Sequence, residues 1–113
     1  MSALELDALA EALNAFVTAR DWEQFQSPKN LSIAITVEAA GLAEYFLWTD
    51  PSDLEALSPE KKEQVELEVA DVFLYVLRLS QVMNIDLIAV ARKRLALNET
   101  RYPVGQARGS ELI

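Results

Sequence analysis

The chain opens on an apolar stripe at helical spacing. Leu6, Leu9, Leu13, Phe16 and Val17 recur every three or four residues, which predicts a helix from Ala3 to about Ala19. Ser2 and Glu5 stand at the N-cap and third helical positions, the spacing of a capping box. The segment from Trp22 to Ser27 loses that period and reads as a loop or a loose turn of helix. Twice further on, a serine followed by a proline supplies an N-cap with proline at the first helical position. Ser27-Pro28 opens a second helix reaching about Trp48, and Ser58-Pro59 opens a long third helix reaching about Met83. Polar residues from Thr49 to Leu57, among them Pro51, form the loop between. The run Val72-Phe73-Leu74-Tyr75-Val76-Leu77 would alone pass for a buried strand, but no Gly or Pro flanks it, and helix is the better reading. Asn84-Ile85-Asp86 caps a fourth helix to about Asn98, and a tail follows. The expected fold is all-α: a four-helix bundle forming one domain over residues 1–113, with a core of about 3–98 and a basic tail, 99–113.

The second and third helices are apolar nearly all round. Ile33, Ala34, Ile35, Val37, Ala39, Ala40, Leu42 and Ala43 leave no continuous polar face, and the same holds from Val69 to Leu77. A domain this small keeps a large share of its surface in water and cannot bury two such helices alone. Self-association into a homodimer or homotetramer is expected to cover the rest.

Composition narrows the chemistry sharply. The sequence has no Cys and no His. Disulfides, thiol nucleophiles, thiolate or imidazole metal sites and the Ser-His-Asp triad are thereby excluded. Any metal site is built from oxygen ligands, which favours Mg²⁺, Mn²⁺ or Ca²⁺. The net charge of −8 argues against a binder of duplex nucleic acid. No apolar run approaches the roughly 20 residues that span a bilayer, so no membrane partner is expected. The first residues lack a basic segment and an apolar segment of secretory type, which makes the cytoplasm the expected compartment. Five of the ten basic residues, Arg92, Lys93, Arg94, Arg101 and Arg108, lie in one C-terminal stretch where Glu99 is the only acid.

Acids inside apolar helices are the anomaly. Glu38 and Glu44 sit among Ala, Leu and Val in the second helix; Glu68 and Asp71 sit in the third, ahead of Val72-Phe73-Leu74. Three-residue spacing puts Glu68 and Asp71 on one face, roughly 60° apart around the axis. Carboxylates in such surroundings need a cation, and a divalent metal shared between two helices of a bundle meets that need. The plainer alternative is a solvated stripe, or pairing with Arg78 and Lys29. Glu60, Glu63 and Glu66, on a more polar turn, fit that alternative better.

Six segments then occur in a recognisable order: Trp22-x-x-Phe25, Pro28-Lys29-Asn30-Leu31, Glu38-Ala39-Ala40-Gly41-Leu42-Ala43-Glu44, Phe46-x-Trp48, Glu68-x-x-Asp71-Val72 and Asn98-x-x-Arg101-Tyr102-Pro103. In this the chain resembles the MazG-like all-α nucleoside triphosphate pyrophosphohydrolases, and most of all their dCTP pyrophosphatase branch. The resemblance covers about residues 20–108. It implies conversion of a nucleoside triphosphate to the monophosphate and pyrophosphate with Mg²⁺ (Mn²⁺ as the alternate ion), in clearing unwanted nucleotides. It also implies that Glu38, Glu68 and Asp71 are the metal ligands, with Glu44 a further catalytic acid. By the same resemblance Asn98 and Tyr102 match the segment that reaches the triphosphate and sugar, Arg94 stands where the family usually has lysine, and Trp22, Phe25 and Trp48 match aromatics lining the base pocket, with Gln26 where the close branch often has a base-contacting histidine; Lys29 and Arg101 complete the expected substrate-binding set.

Position 41 departs from the pattern. The family carries E-x-x-E-x-x-E, and this chain reads Glu38-x-x-Gly41-x-x-Glu44. A mid-helix glycine costs about 1 kcal/mol relative to alanine. Glu44 lies six residues from Glu38, roughly 9 Å along the axis, too far to stand in for the missing carboxylate. A lost ligand and weakened activity are the expectation, with close helix packing as the other reason for a glycine. The rival functional reading is a catalytically impaired nucleotide-binding or regulatory protein of the same fold.

Overall fold

The Ser2 hydroxyl accepts from the Glu5 amide at 3.1 Å while the Glu5 carboxylate accepts from the Ser2 amide at 3.3 Å, closing the capping box that starts α1 (Ala3–Ala19). In this computed structural model the described residues are 2–48 and 57–109. Asp21, in the left-handed region at φ 54°, turns the chain out of α1. One turn of 3₁₀ helix, Glu23–Phe25, leads to Ser27, whose hydroxyl caps α2 (Pro28–Glu44) by accepting from the Asn30 amide at 3.1 Å.

The second helix is shorter than expected and does not reach Trp48. The Tyr45 and Phe46 amides bond three residues back, to the Leu42 and Ala43 carbonyls at 3.3 and 3.0 Å, which tightens the last turn. The aromatic cluster Tyr45, Phe46, Trp48 has weaker helix preference than the alanine-rich body before it. Residues 49–56 of the expected polar loop lie outside the described set. Ser58 caps α3 (Pro59–Val82), and Asn84, at φ 54°, ends the run as its sequence position suggested. Asp86 accepts from the Ala89 amide at 3.1 Å to cap α4 (Leu87–Arg101).

Where a tail was expected there is a fifth helix, α5 (Val104–Ala107). Pro103, with its backbone preset at φ −64°, starts it, and its carbonyl accepts from the Gln106 and Ala107 amides. The expected four-helix count is therefore corrected to five among the described residues, which contain no strand.

The central element is α3. It pairs along its length with α2 and at its C-terminal half with α1, while α4 leaves at 103° and has only marginal contact with the other helices. Among the described residues Leu6, Val17, Leu31 and Leu77 are the buried apolar ones. Hydrogen bonds lock α1 to α3: Gln81 Nε2 donates to the Ala10 carbonyl at 2.6 Å, and Arg78 Nη1 donates to Asn14 Oδ1 at 3.0 Å. At the foot of α1, the Phe16 and Trp22 rings meet edge to face with centroids 5.7 Å apart.

Much apolar surface stays uncovered, including Ile33 and Val37 on α2, Leu67 and Val69 on α3, and Leu95 and Leu97 on α4. The accessible surface is 8982 Å². A closed monomer of this mass exposes about 6,200 Å². No single helix among the described residues is long and apolar enough to cross a membrane.

Candidate metal centre

Pairing of α2 with α3 sets Glu38 opposite Glu68 and Asp71, and one carboxylate oxygen from each lies within 4.8 Å of the others. Glu38 and Glu68 are half-buried and Asp71 is exposed. The Glu68 carboxyl is pushed above its usual value of 4.5, first by a hydrogen bond with the Glu38 side chain, then by lost solvation and by repulsion from Glu38, Asp71 and Glu44. Three crowded acids, one of them reluctant to ionise, are what a cation would relieve. Their hard oxygen donors suit Mg²⁺, Mn²⁺ or Ca²⁺, and the residues present therefore fit a divalent ion.

Gly41 faces this group. A Cβ built there would lie 2.5 Å from Glu68 Oε1 and 3.5 Å from its Cδ, so the Glu68 carboxyl fills the space that a side chain at 41 would enter. The position points at the carboxylates, and its glycine is also what lets Glu68 lie against α2. Glu44, exposed one turn beyond Gly41, shares a shallow groove with Gly41, Tyr45, Lys61 and Glu68.

Glu38 and Asp71 also edge a cavity of about 240 Å³. Its walls are the apolar Leu13, Val17 and Leu74, the aromatic Phe16, Trp22 and Tyr75, and the polar Gln26 and Arg78. A larger trough, about 660 Å³, opens where α4 leaves α3 and is lined by Asp7, Gln81, Asn84 and Arg92 among others. It contains none of the clustered carboxylates, so the smaller cavity is the one placed for chemistry.

The other expected site residues are distributed unevenly. Trp22 lines the small cavity, whereas Phe25 is 62% exposed and Trp48 94% exposed, and neither lines it. Lys29 is exposed at the start of α2. Arg94, Asn98, Arg101 and Tyr102 ride on or just after α4. Asp71 precedes the end of α3 by about 16 Å of helix, and α4 then turns away at 103°, so within one chain these residues are carried away from the carboxylates. The Arg101 guanidinium lies 5.2 Å from the Tyr102 ring centroid. Arg78, weighed above as a partner for the acids, bonds instead to the amide oxygens of Asn14, Gln26 and Gln81. Sequence reasoning passed over Tyr75 and Arg78 as cavity residues. The signal was present: they follow Asp71 by four and seven residues, on one helical face.

Residues 33–112 match the MazG-like family. The chain belongs to that family. Among relatives of this MazG-like chain, mouse dCTP pyrophosphatase 1 is 37% identical over 98 residues, covering 84% of this chain and 57% of the mouse protein. Human dCTP pyrophosphatase 1 is 34% identical over 97 residues, with the same two coverages. The chain thus spans little more than half the length of these relatives. The crystal structure of a pyrophosphatase from Archaeoglobus fulgidus superposes with a TM-score of 0.82 at 37% identity, over 88% of this chain and 93% of that one.

Proposed function

We propose that this MazG-like chain is a metal-dependent nucleoside triphosphate pyrophosphohydrolase that converts a (deoxy)nucleoside triphosphate to the monophosphate and pyrophosphate in nucleotide-pool clearance. One observation carries the reading: three carboxylates from α2 and α3 converge beside a small aromatic cavity, in a chain similar to proteins named dCTP pyrophosphatase.

Glu38, Glu68 and Asp71 would hold Mg²⁺, with Mn²⁺ as the alternate ion. A bound divalent ion supplies charge neutralisation on the phosphates. Trp22 and Tyr75 offer ring faces to the base. The exposed Glu44 carboxylate orients the attacking water and takes its proton as the water oxygen bonds to the α-phosphorus. The bond from the α-phosphorus to the bridging oxygen breaks, and pyrophosphate leaves with that electron pair. Gly41 withholds a fourth carboxylate from the ion, so turnover is weaker than an E-x-x-E-x-x-E site would give.

The phosphate-binding end of the site is incomplete in one chain. The surface exceeds that of a closed monomer by about 2,800 Å², against the roughly 1,000–2,500 Å² per partner buried in obligate dimers. A homodimer or homotetramer that covers the exposed faces of α2 and α3 would bring the basic α4 of one copy toward the carboxylates of another. There Arg94, Asn98, Arg101 and Tyr102 can meet the triphosphate. The setting is the cytoplasmic nucleotide pool.

A panel of NTPs and dNTPs, read for pyrophosphate with and without Mg²⁺, tests the proposal. Release of orthophosphate in place of pyrophosphate would refute it. The contact of Glu68 with Gly41 favours one second reading, an impaired nucleotide-binding or regulatory protein. It predicts nucleotide-dependent thermal stabilisation with no turnover.

A further inference from the structure

We infer that Arg78 is a positioning residue: its guanidinium holds α1 and the turn before α2 against α3, and so sets the walls of the cavity beside the carboxylates without touching the substrate. The inference rests on the nucleotide reading above and deepens it.

The aromatic walls of that cavity come from three elements, Phe16 on α1, Trp22 on the turn and Tyr75 on α3. The first two form one unit. Their rings meet edge to face, and the Trp22 amide donates to the Val17 carbonyl at 3.2 Å, so the turn moves with the end of α1.

Few bonds fasten this unit to α3. Arg78 Nε donates to Gln26 Oε1 at 2.7 Å. Among the described residues, every other hydrogen bond made by residues 20–26 reaches no more than five residues along the chain. From α1, two hydrogen bonds cross to α3 among the described residues: Arg78 Nη1 donates to Asn14 Oδ1 at 3.0 Å, and Gln81 Nε2 donates to the Ala10 carbonyl at 2.6 Å. Arg78 steadies the second as well, because Nη1 also donates to Gln81 Oε1 at 3.0 Å. Each hydrogen bond joining the unit to α3 thus runs through Arg78 or through the side chain that it orients.

The choice of arginine has a physical reason. Arg78 is only 7% exposed, and its three partners are neutral amides. Burying a charge on neutral partners adds little net stability, and an apolar side chain would serve a role in stability alone at least as well. The guanidinium adds direction: its N–H groups lie fixed in one plane, so Nε and Nη1 set Gln26 and Asn14 relative to each other and to α3. The metal ligands stand apart from this joint. Docking of α2 on α3 brings Glu38, Glu68 and Asp71 together, and Asp71 lies roughly 10 Å along α3 from Arg78. Loss of the joint should weaken substrate binding and spare the metal-dependent step.

Asn14 makes the decisive variant, because it is exposed, bonds to Arg78 and does not line the cavity. The test measures KM and kcat for dCTP in the natural chain, in Asn14→Ala, in Arg78→Met and in the double variant. Asn14→Ala and Arg78→Met should each raise KM at least about fivefold, with kcat within about twofold and its Mg²⁺ dependence unchanged. The double variant should match Arg78→Met, since the shared bond is already gone. An unchanged KM in Asn14→Ala overturns the inference, even where Arg78→Met raises KM, because that is the mark of direct contact between Arg78 and the substrate. Additive effects in the double variant overturn it too. The second readout is acrylamide quenching of Trp22, made the sole tryptophan by Trp48→Phe. Quenching should rise in Asn14→Ala and in Arg78→Met, and a constant value overturns the inference. If Arg78→Met does not fold, KM and quenching in Asn14→Ala decide. If no triphosphate is turned over, the proposed function fails, and quenching alone decides whether Arg78 positions the turn.

Discussion

A side chain at position 41 separates the two meanings of Gly41, because any Cβ there meets Glu68 Oε1 at 2.5 Å. The conflict is with the tip of a flexible side chain, so Glu68 can swing aside without moving backbone. Gly41→Ala removes a mid-helix glycine, a gain of about 1 kcal/mol, and offers no ligand. Gly41→Glu makes the same helix gain but sets a carboxylate three residues from both Glu38 and Glu44. Like-charge pairs at this spacing cost about 0.2–0.5 kcal/mol each, so in EDTA Gly41→Glu should melt roughly 2–8 °C below Gly41→Ala. Saturating Mg²⁺ should reverse the order, because a fourth carboxylate tightens the hold on the ion. Tenfold tighter binding corresponds to about 1.4 kcal/mol. Pyrophosphate release by Gly41→Glu should exceed that of the natural chain at least tenfold, about 1.4 kcal/mol of barrier, whereas Gly41→Ala, which only displaces Glu68, should lose activity. Melting scans of the three proteins in EDTA and in Mg²⁺, with turnover beside them, give the answer. A Gly41→Glu protein that melts low in both buffers and gains no turnover would show that the glycine serves the close approach of Glu68, and the lost-ligand reasoning fails.

Glu68 carries a pH signature. Its folded pKa is raised, so the stability it contributes is complete below the unfolded value of 4.5 and is lost as pH rises through the folded value. In EDTA, Glu68→Gln should therefore gain in melting temperature on the natural chain as pH rises from about 4 to 7, and Mg²⁺ at pH 7 should reverse the order; a difference independent of pH would refute this. Size-exclusion with light scattering should give at least twice the 12.6 kDa chain mass, and a monomer peak at micromolar concentration would refute the assembly. Ser58→Ala removes the acceptor of the Lys61 amide at 3.2 Å and should cost about 1 kcal/mol, read as a lower melting temperature; no change would mean that the start of α3 is held by other contacts.

Local chemistry fixed the helix starts in advance. Ser2, Ser27, Ser58 and Asp86 cap α1 to α4 at the positions read from short-range pattern, since a cap is a bond between residues three apart. The pairing of Glu68 with Asp71 was legible for the same reason: one helix turn sets it. Glu38 could be singled out as an acid in an apolar helix, but only the docking of α2 on α3 put it within 4.8 Å of the other two. Helix ends were harder to read, and α2 stopped at Glu44 because the balance between extending a helix and tightening its last turn is a small difference in weak propensities. Sequence pattern could not say that α4 turns away at 103°, because the angle between helices depends on packing across residues far apart in the chain. Nor could it show Arg78 gathering Asn14, Gln26 and Gln81. Two of those partners lie 64 and 52 residues away, and a contact across that separation exists only once α1, the turn before α2, and α3 have come together.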